Sequence, residues 1–195
     1  QPSPLEYGNA SRATTEVPRE LVFVLDVSGS MQGESINQAR AAVLKGLSQL
    51  KPEDRFNIAW FNTKAWQLYS SSQFATFENL NFARRKILNE HADGGTDMLP
   101  ALRAALVDRQ SARSSVIRQV IFLTDGSLSD EQAMMREIEA NRGRSRVFMV
   151  GIGSAPNNHL MRRMAEAGRG TYANIGYGDE VQDRMRAFLD RLAAP

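Results

Sequence analysis

The sequence predicts an α/β fold: a doubly wound, Rossmann-like, mostly parallel six-stranded sheet with one antiparallel edge strand and helices on both faces. Three observations lead there. Short apolar or β-branched runs alternate along the chain with segments whose apolar residues recur every three or four positions. The runs 20-ELVFVL-25, 118-RQVIFLT-124 and 147-VFMVGI-152 are nearly continuous in apolar character, as strands covered on both faces are. Polar clusters follow directly on the first two, where an open α/β sheet places its ligands.

Taken in order, the first strand runs over 20–25. A helix follows on Ile36, Ala39, Val43, Leu47 and Leu50, with 35-SINQ-38 as a capping box at its start. The run 56-FNIAWF-61 is the second strand. The connection Phe61-Asn62-Thr63 is too short for a helical crossover, so 63-TKAWQLYSS-71 is expected to fold back as an antiparallel edge strand. Two helices come next, one on Phe77, Leu80, Ala83 and Ile87, the other on Leu99, Leu102 and Leu106. The first would end at His91; the second carries Pro100 in its first turn, with Thr96 or Asp97 as its cap. Strand 118–124 precedes a helix opened by 129-SDEQ-132, and strand 147–152 precedes one that carries His159 near its start and stops at Gly168. The strand 170-GTYANI-175 and a last helix on Val181, Met185, Phe188 and Leu192, opened by 179-DEVQ-182, close the order. Met134, Met135, Met161 and Met164 are read as core fillers and 84-RRK-86 as a solvated helix face.

Residues 1–18 hold three prolines with several Ser, Thr and Asn, and read as an N-terminal arm or linker; residues 19–195 form one domain. The chain starts with Gln and is read as a piece of something longer. The charge is balanced, 24 basic against 22 acidic residues, and points to neither a nucleic acid nor a membrane. No apolar run approaches the 18 or so residues that span a bilayer. Cysteine is absent, which excludes disulfides, thiolate catalysis and Cys-based metal sites. Two histidines, His91 and His159, leave little room for imidazole-based catalysis.

Three polar clusters are candidates for one site: 26-DVSGS-30, 93-DGGTD-97 and 124-TDGS-127. Taken alone, the first offers a nucleophilic Ser28 or Ser30, a phosphate-accepting Asp26, or a cradle for an ion. Asp26, Ser28 and Ser30, spaced two apart, face one way along an extended-to-turning segment, and Gly29 keeps the turn uncrowded. Ser28, Ser30 and Thr96 each carry a neutral hydroxyl oxygen. No G-x-S-x-G elbow accompanies the serines, and Ser28 stands where a phosphatase would carry its second acid.

These clusters resemble the metal-ion-dependent adhesion site of the von Willebrand factor A family: Asp26, Ser28 and Ser30 in D-x-S-x-S, Thr96 in 94-GGT-96 and Asp125 in 124-TDG-126. The similarity covers about residues 18–194. Within the family, 19-REL, DVSGSM and GGTD look most like the branch with inter-α-trypsin-inhibitor heavy chains and bacterial surface proteins. The resemblance implies a metal set of Asp26, Ser28, Ser30, Thr96 and Asp125, with the two aspartates acting through waters. It implies Mg²⁺, with Mn²⁺ or Ca²⁺ as alternatives, and a partner protein that presents Glu or Asp. Gly29, Gly95, Asp97, Gly126 and Ser127 would form the partner-binding surface around it. A non-enzymatic adhesion or protein-binding module of an exported or surface protein is the leading expectation. An intracellular subunit that recruits substrates to an ATPase machine, and a Mg²⁺-dependent phosphoryl-transfer enzyme, are the alternatives.

Overall fold

The computed structural model describes residues 17–109, 116–128, 130–153, 157–176, 178 and 180–193. Residues 1–16 of the expected arm, and Ser129 and Asp179 of two expected capping boxes, lie outside these.

The expected order of strands and helices is observed with one strand added, at Gln73–Phe74. Strands β1 (Arg19–Asp26), β2 (Arg55–Phe61), β3 (Ala65–Gln67), β4 (Gln73–Phe74), β5 (Ile117–Thr124), β6 (Ser145–Ile152) and β7 (Arg169–Gly176) form one sheet. Its spatial order is β3-β2-β1-β5-β6-β7. β1 runs parallel to β2 and β5, and β5, β6 and β7 continue parallel. The hairpin read from Phe61-Asn62-Thr63 is real: β3 pairs antiparallel with β2, Trp60 opposite Trp66. It is three residues long rather than nine. The chain then returns to lay the two-residue β4 along the start of β2, which makes seven strands instead of six. A strand of two residues carries no periodicity for a sequence to show.

Helices α1 (Glu34–Ser48), α2 (Phe77–Asn89) and α6 (Glu180–Ala193) cover one face; α3 (Leu99–Leu106), α4 (Glu131–Asn141) and α5 (Asn158–Ala167) cover the other. Alternation along β1 supplies both cores. Leu21, Phe23 and Leu25 pack with α1 and α6, whereas Val22 and Val24 face α3. Met134, Met161 and Met164 are buried there, as expected, and Arg84, Arg85 and Lys86 are exposed.

Helix starts differ from the capping boxes. α1 begins at Glu34 with Gly33 as N-cap and no side-chain cap, so Ser35 already lies inside it. Gln38, expected as a reciprocal cap, is instead buried; turned about its amide, its nitrogen donates to Gly176 O and its oxygen accepts from Gly178 N. α3 takes Met98 as N-cap, and Pro100 sits in its first turn. Asp97 Oδ1 accepts from Leu99 N at 3.3 Å just before it. α2 is capped by Thr76 and stops two residues before His91. α4 is capped by Asp130, whose carboxylate accepts from Ala133 N. Gly168 is the C-cap of α5, and a side chain there would clash, since its Cβ would lie 2.3 Å from Val147 Cβ.

The amino ends of the strands are tied by a buried ion pair. Arg118 Nε donates to Glu20 Oε2 at 2.9 Å, Nη1 to Ser145 Oγ and Nη2 to Val107 O. Gly46 of α1 rides directly on Phe23 of β1: a Cβ there would come within 2.4 Å of the ring. Gly46→Ala should therefore destabilise the domain by about 1–3 kcal/mol despite its better helix propensity. Urea unfolding measures this, and an unchanged midpoint would mean that the Phe23 ring shifts at no cost.

Candidate functional site

The winding reverses between β1 and β5, since β2 lies on one side of β1 and β5 on the other. Asp26 ends β1, and Thr124 ends β5 beside it. The crevice outside these carboxyl ends is where the polar clusters meet.

Asp26 is fully buried and fully engaged. Its Oδ1 accepts from Ser28 Oγ at 2.6 Å and from Ser28 N at 2.9 Å; its Oδ2 accepts from Thr124 Oγ1 at 2.8 Å. Burial pushes its pKa above the ordinary carboxylate value, the bonds from Ser28 and Thr124 pull it back, and the charge of Asp125 pushes it up again. Asp26 is thus a carboxylate in a site that disfavours its charge.

Ser28 is buried as well, and its hydroxyl lies 3.2 Å from that of Ser30, which is exposed. The pleat does not produce this pairing. β1 stops at Asp26, and residues 29–31 form a turn of 3-10 helix, so the chain curls to bring the two serines together.

The second cluster is fastened to the first. Gly29 N donates to Gly94 O at 2.8 Å, and Asp93 N to Val27 O at 2.8 Å. A Cβ on Gly29 would sit 3.1 Å from Gly94 O, so a side chain would press on this junction. Gly94 itself has φ 79°, the left-handed region that glycine adopts without strain. This segment places Thr96 half-buried, its hydroxyl unbonded among the described residues. Gly95 and Asp97 are exposed beside it. Thr96, expected as a cap for α3, makes no such bond; Asp93 is structural as expected, its Oδ1 accepting from Gly94 N.

The third cluster follows β5. Asp125 is half-buried, with Oδ1 accepting from Ser127 N at 3.0 Å. Gly126 is buried at φ 86°, and its amide donates to Thr124 Oγ1. Ser127 is exposed and bonds the turn through its amide.

Three supports were not singled out in the sequence. Thr124 bridges Asp26 to the Gly126 amide. Asn62 accepts Asp97 N at its carbonyl and donates Nδ2 to Asp93 O, hanging the 93–97 loop from the hairpin. Asn157 donates Nδ2 to Gly126 O. Thr124 stood in a quoted cluster, but Asn62 and Asn157 carry no local signal, because their partners are distant in sequence.

Among the described residues no three His, Asp or Glu gather in a metal-binding group. The donors collected here are instead hydroxyls flanked by two carboxylates. Asp26 has no exposed surface for attack on a substrate, and neither histidine belongs to this cluster.

A family model for the von Willebrand factor type A domain matches residues 19–174. Inter-alpha-trypsin inhibitor heavy chain H4 of Homo sapiens is 31% identical over 197 residues, which cover 95% of this chain and 21% of that protein. Von Willebrand factor A domain-containing protein 5B1 of Mus musculus is 30% identical over 90% of this chain and 14% of its own length. The chain therefore spans about a fifth or less of these relatives. Among solved structures, a von Willebrand factor type A protein from Catenulispora acidiphila superposes with TM-score 0.78 and 24% identity, covering 90% of this chain and 42% of that one. The pilus adhesin SpaC from Lactobacillus rhamnosus GG gives TM-score 0.74 at 16% identity, covering 90% and 30%. Both share the fold.

Thr124→Val keeps the shape of the side chain but leaves Asp26 Oδ2 and the Gly126 amide without their partner. It should cost about 1–3 kcal/mol in chemical denaturation. A loss no larger than an exposed substitution causes would mean that both groups find other partners.

Proposed function

We propose that this chain, which belongs to the von Willebrand factor type A domain family, is a protein-binding module that captures a carboxylate of its partner through a divalent cation. The observation that supports this reading is the junction of the two segments: Gly29 N bonds Gly94 O, which fastens the loop carrying Thr96 to the turn where the Ser28 and Ser30 hydroxyls lie 3.2 Å apart.

The donor chemistry fits Mg²⁺. Bonds of 2.0–2.1 Å at right angles put neighbouring oxygens about 2.9 Å apart, close to the 3.2 Å between the Ser28 and Ser30 hydroxyls. Ser28, Ser30 and Thr96 would hold the ion directly. Ser28 gives its proton to Asp26, which turns its lone pairs away from that carboxylate and toward the crevice. Asp26 spends its oxygens on Ser28 and Thr124, so it orients a ligand and balances charge rather than offering itself. Asp125 adds a second carboxylate from the next strand. A cation at this point would offset the burial that now raises the Asp26 pKa. When bound, Mg²⁺ supplies an electrophilic position that a partner's Glu or Asp completes. Mn²⁺ fits the same oxygens; Ca²⁺ prefers six to eight ligands and more charge.

Catalysis is not part of this reading. The aspartate that would act as nucleophile is sealed by three hydrogen bonds. Likeness to the inter-alpha-trypsin-inhibitor branch supports an exported or surface-displayed protein, with Gly29, Gly95, Asp97 and Ser127 as the rim that a partner touches; Gly126, expected among them, is buried.

Millimolar Mg²⁺ should raise the melting temperature of the wild type, because a ligand of the native state stabilises it, by about 1.4 kcal/mol for each tenfold excess over its Kd. Ser28→Ala and Thr96→Ala should keep a cooperative melt yet lose most of this shift. A wild-type melt that ignores Mg²⁺ and Mn²⁺ alike would sink the metal reading.

A further inference from the structure

We infer that a cavity at the amino ends of the strands binds a small carboxylate that also carries a hydrogen-bond donor. The cavity has a volume of about 140 Å³ and includes Glu20, at the opposite end of β1 from Asp26. One water fills about 30 Å³, so there is room for a small molecule. Metal binding at the other pole is not needed for it.

The cavity exists because α3 is short. α3 has eight residues, about 12 Å of helix. β1 has eight residues too, but these make about 26 Å of strand. The helix therefore covers only part of the strand. Its last turn, with Ala104 and Ala105, closes the cavity beside Val22, and polar residues fill the strand starts. Glu20 stands beside Arg118 in the pairing of β1 with β5, and Val22 beside Asn57 in that of β1 with β2. Ser70, Ser71 and Ser72, between β3 and β4, add a side wall. Asn57 pins that wall, since its Oδ1 accepts from Tyr69 N at 3.1 Å and its Nδ2 donates to Tyr69 O at 2.8 Å.

Glu20, Asn57, Ser72 and Arg118 line the cavity and are each more than nine-tenths buried. Arg118 is spent on the protein, donating to Glu20 Oε2, Ser145 Oγ and Val107 O. Two other polar atoms are not. Glu20 Oε1 and Ser72 Oγ have no hydrogen-bond partner among the described residues, and both keep accessible surface where their residues line the cavity.

The charged groups that line it are Glu20, Arg118 and Arg109. The first two pair at 2.9 Å and cancel. Arg109 is exposed and has no partner among the described residues, while its neighbour Asp108 is held by Arg144 through both oxygens. The lining is left with one net positive charge and an excess of donors, from Arg109, Gln67 and the serine hydroxyls. That balance disfavours a cation and suits a carboxylate. An anion without a donor would leave Glu20 Oε1, an acceptor, facing it unpaired, which is costly in a buried place. A hydroxyl or amine on the ligand meets that oxygen. Val22, Ala104 and Ala105 form the small apolar wall that a short carbon chain covers.

The test is a titration of the ¹⁵N-labelled chain with propionate, lactate, 3-hydroxypropionate, alanine and β-alanine, against sodium chloride at equal ionic strength. Propionate is the reference without a donor; the other four place a hydroxyl or an amine at two spacings. The best of the four should saturate with a dissociation constant of about 1 mM or tighter and bind about tenfold tighter than propionate. It should shift the amides of Ser71 and Ser72 and the side-chain amide of Asn57, and leave Gly29 and Gly94 in place. Whether a hydroxy acid or an amino acid wins identifies the donor. Arg109→Gln and Ser72→Ala, which leave the Glu20–Arg118 pair intact, should each weaken binding about fivefold. Shifts that do not saturate, a propionate affinity equal to the best of the four, or wild-type affinity in either variant overturns the inference.

Discussion

The buried carboxylate of Asp26 is the constraint around which the carboxyl end of this sheet is arranged. An aspartate with no exposed surface is costly, and three hydrogen bonds meet that cost. Each bond also does structural work. The bonds from Ser28 curl the chain after β1 into the turn that brings Ser28 and Ser30 together. The bond from Thr124 ties β1 to β5 across the point where the winding reverses, and Thr124 passes the connection on to Gly126. Even so, burial outweighs those bonds, and the group is held above its ordinary pKa. The site is built around a charge that its own surroundings do not fully compensate, which is the electrostatic condition a bound cation would relieve.

The two ends of the sheet handle buried charge differently. At the amino ends of the strands, Glu20 and Arg118 neutralise each other, and Ser145 and Val107 each accept a further guanidinium proton. At the carboxyl ends, Asp26 and Asp125 have the same sign, and the groups around them are hydroxyls and backbone amides. One sheet thus has a pole where buried charges of opposite sign are paired and a pole where two carboxylates are met by hydroxyls and backbone amides.

Placement of the 93–97 loop shows how far local structure depends on distant residues. It is hung from Val27, Gly29 and Asn62 by backbone and side-chain bonds. Nothing in 93-DGGTD-97 itself requires those partners. The loop would carry the same glycines and threonine as an ordinary helix connection, and Thr96 would be free to cap α3. In the folded chain Met98 takes the cap position and the Thr96 hydroxyl caps nothing.

The sequence by itself determined the order of strands and helices, the antiparallel turn after Phe61, the parallel core and the three clusters of polar residues, because each of these is written in local periodicity or in consecutive residues. Even the family could be read from D-x-S-x-S, GGT and TDG taken in order. Less was legible where a feature depends on contacts across the chain. Helix α1 starts at Glu34, with Gly33 and not Ser35 as its cap, and Gln38 bonds the distant Gly176 and Gly178 instead of the helix start. The two residues of β4 are a strand only because β2 offers an edge beside them. The roles of Thr124, Asn62 and Asn157 appear only once β1, β2 and β5 lie side by side. Only the tertiary structure decided that the serines face each other across 3.2 Å and that Asp26 is sealed. Hydrophobic period is a property of neighbours in the chain; the geometry of a site is a property of neighbours in space, and the hydrogen bonds that set it here join residues as many as 98 positions apart.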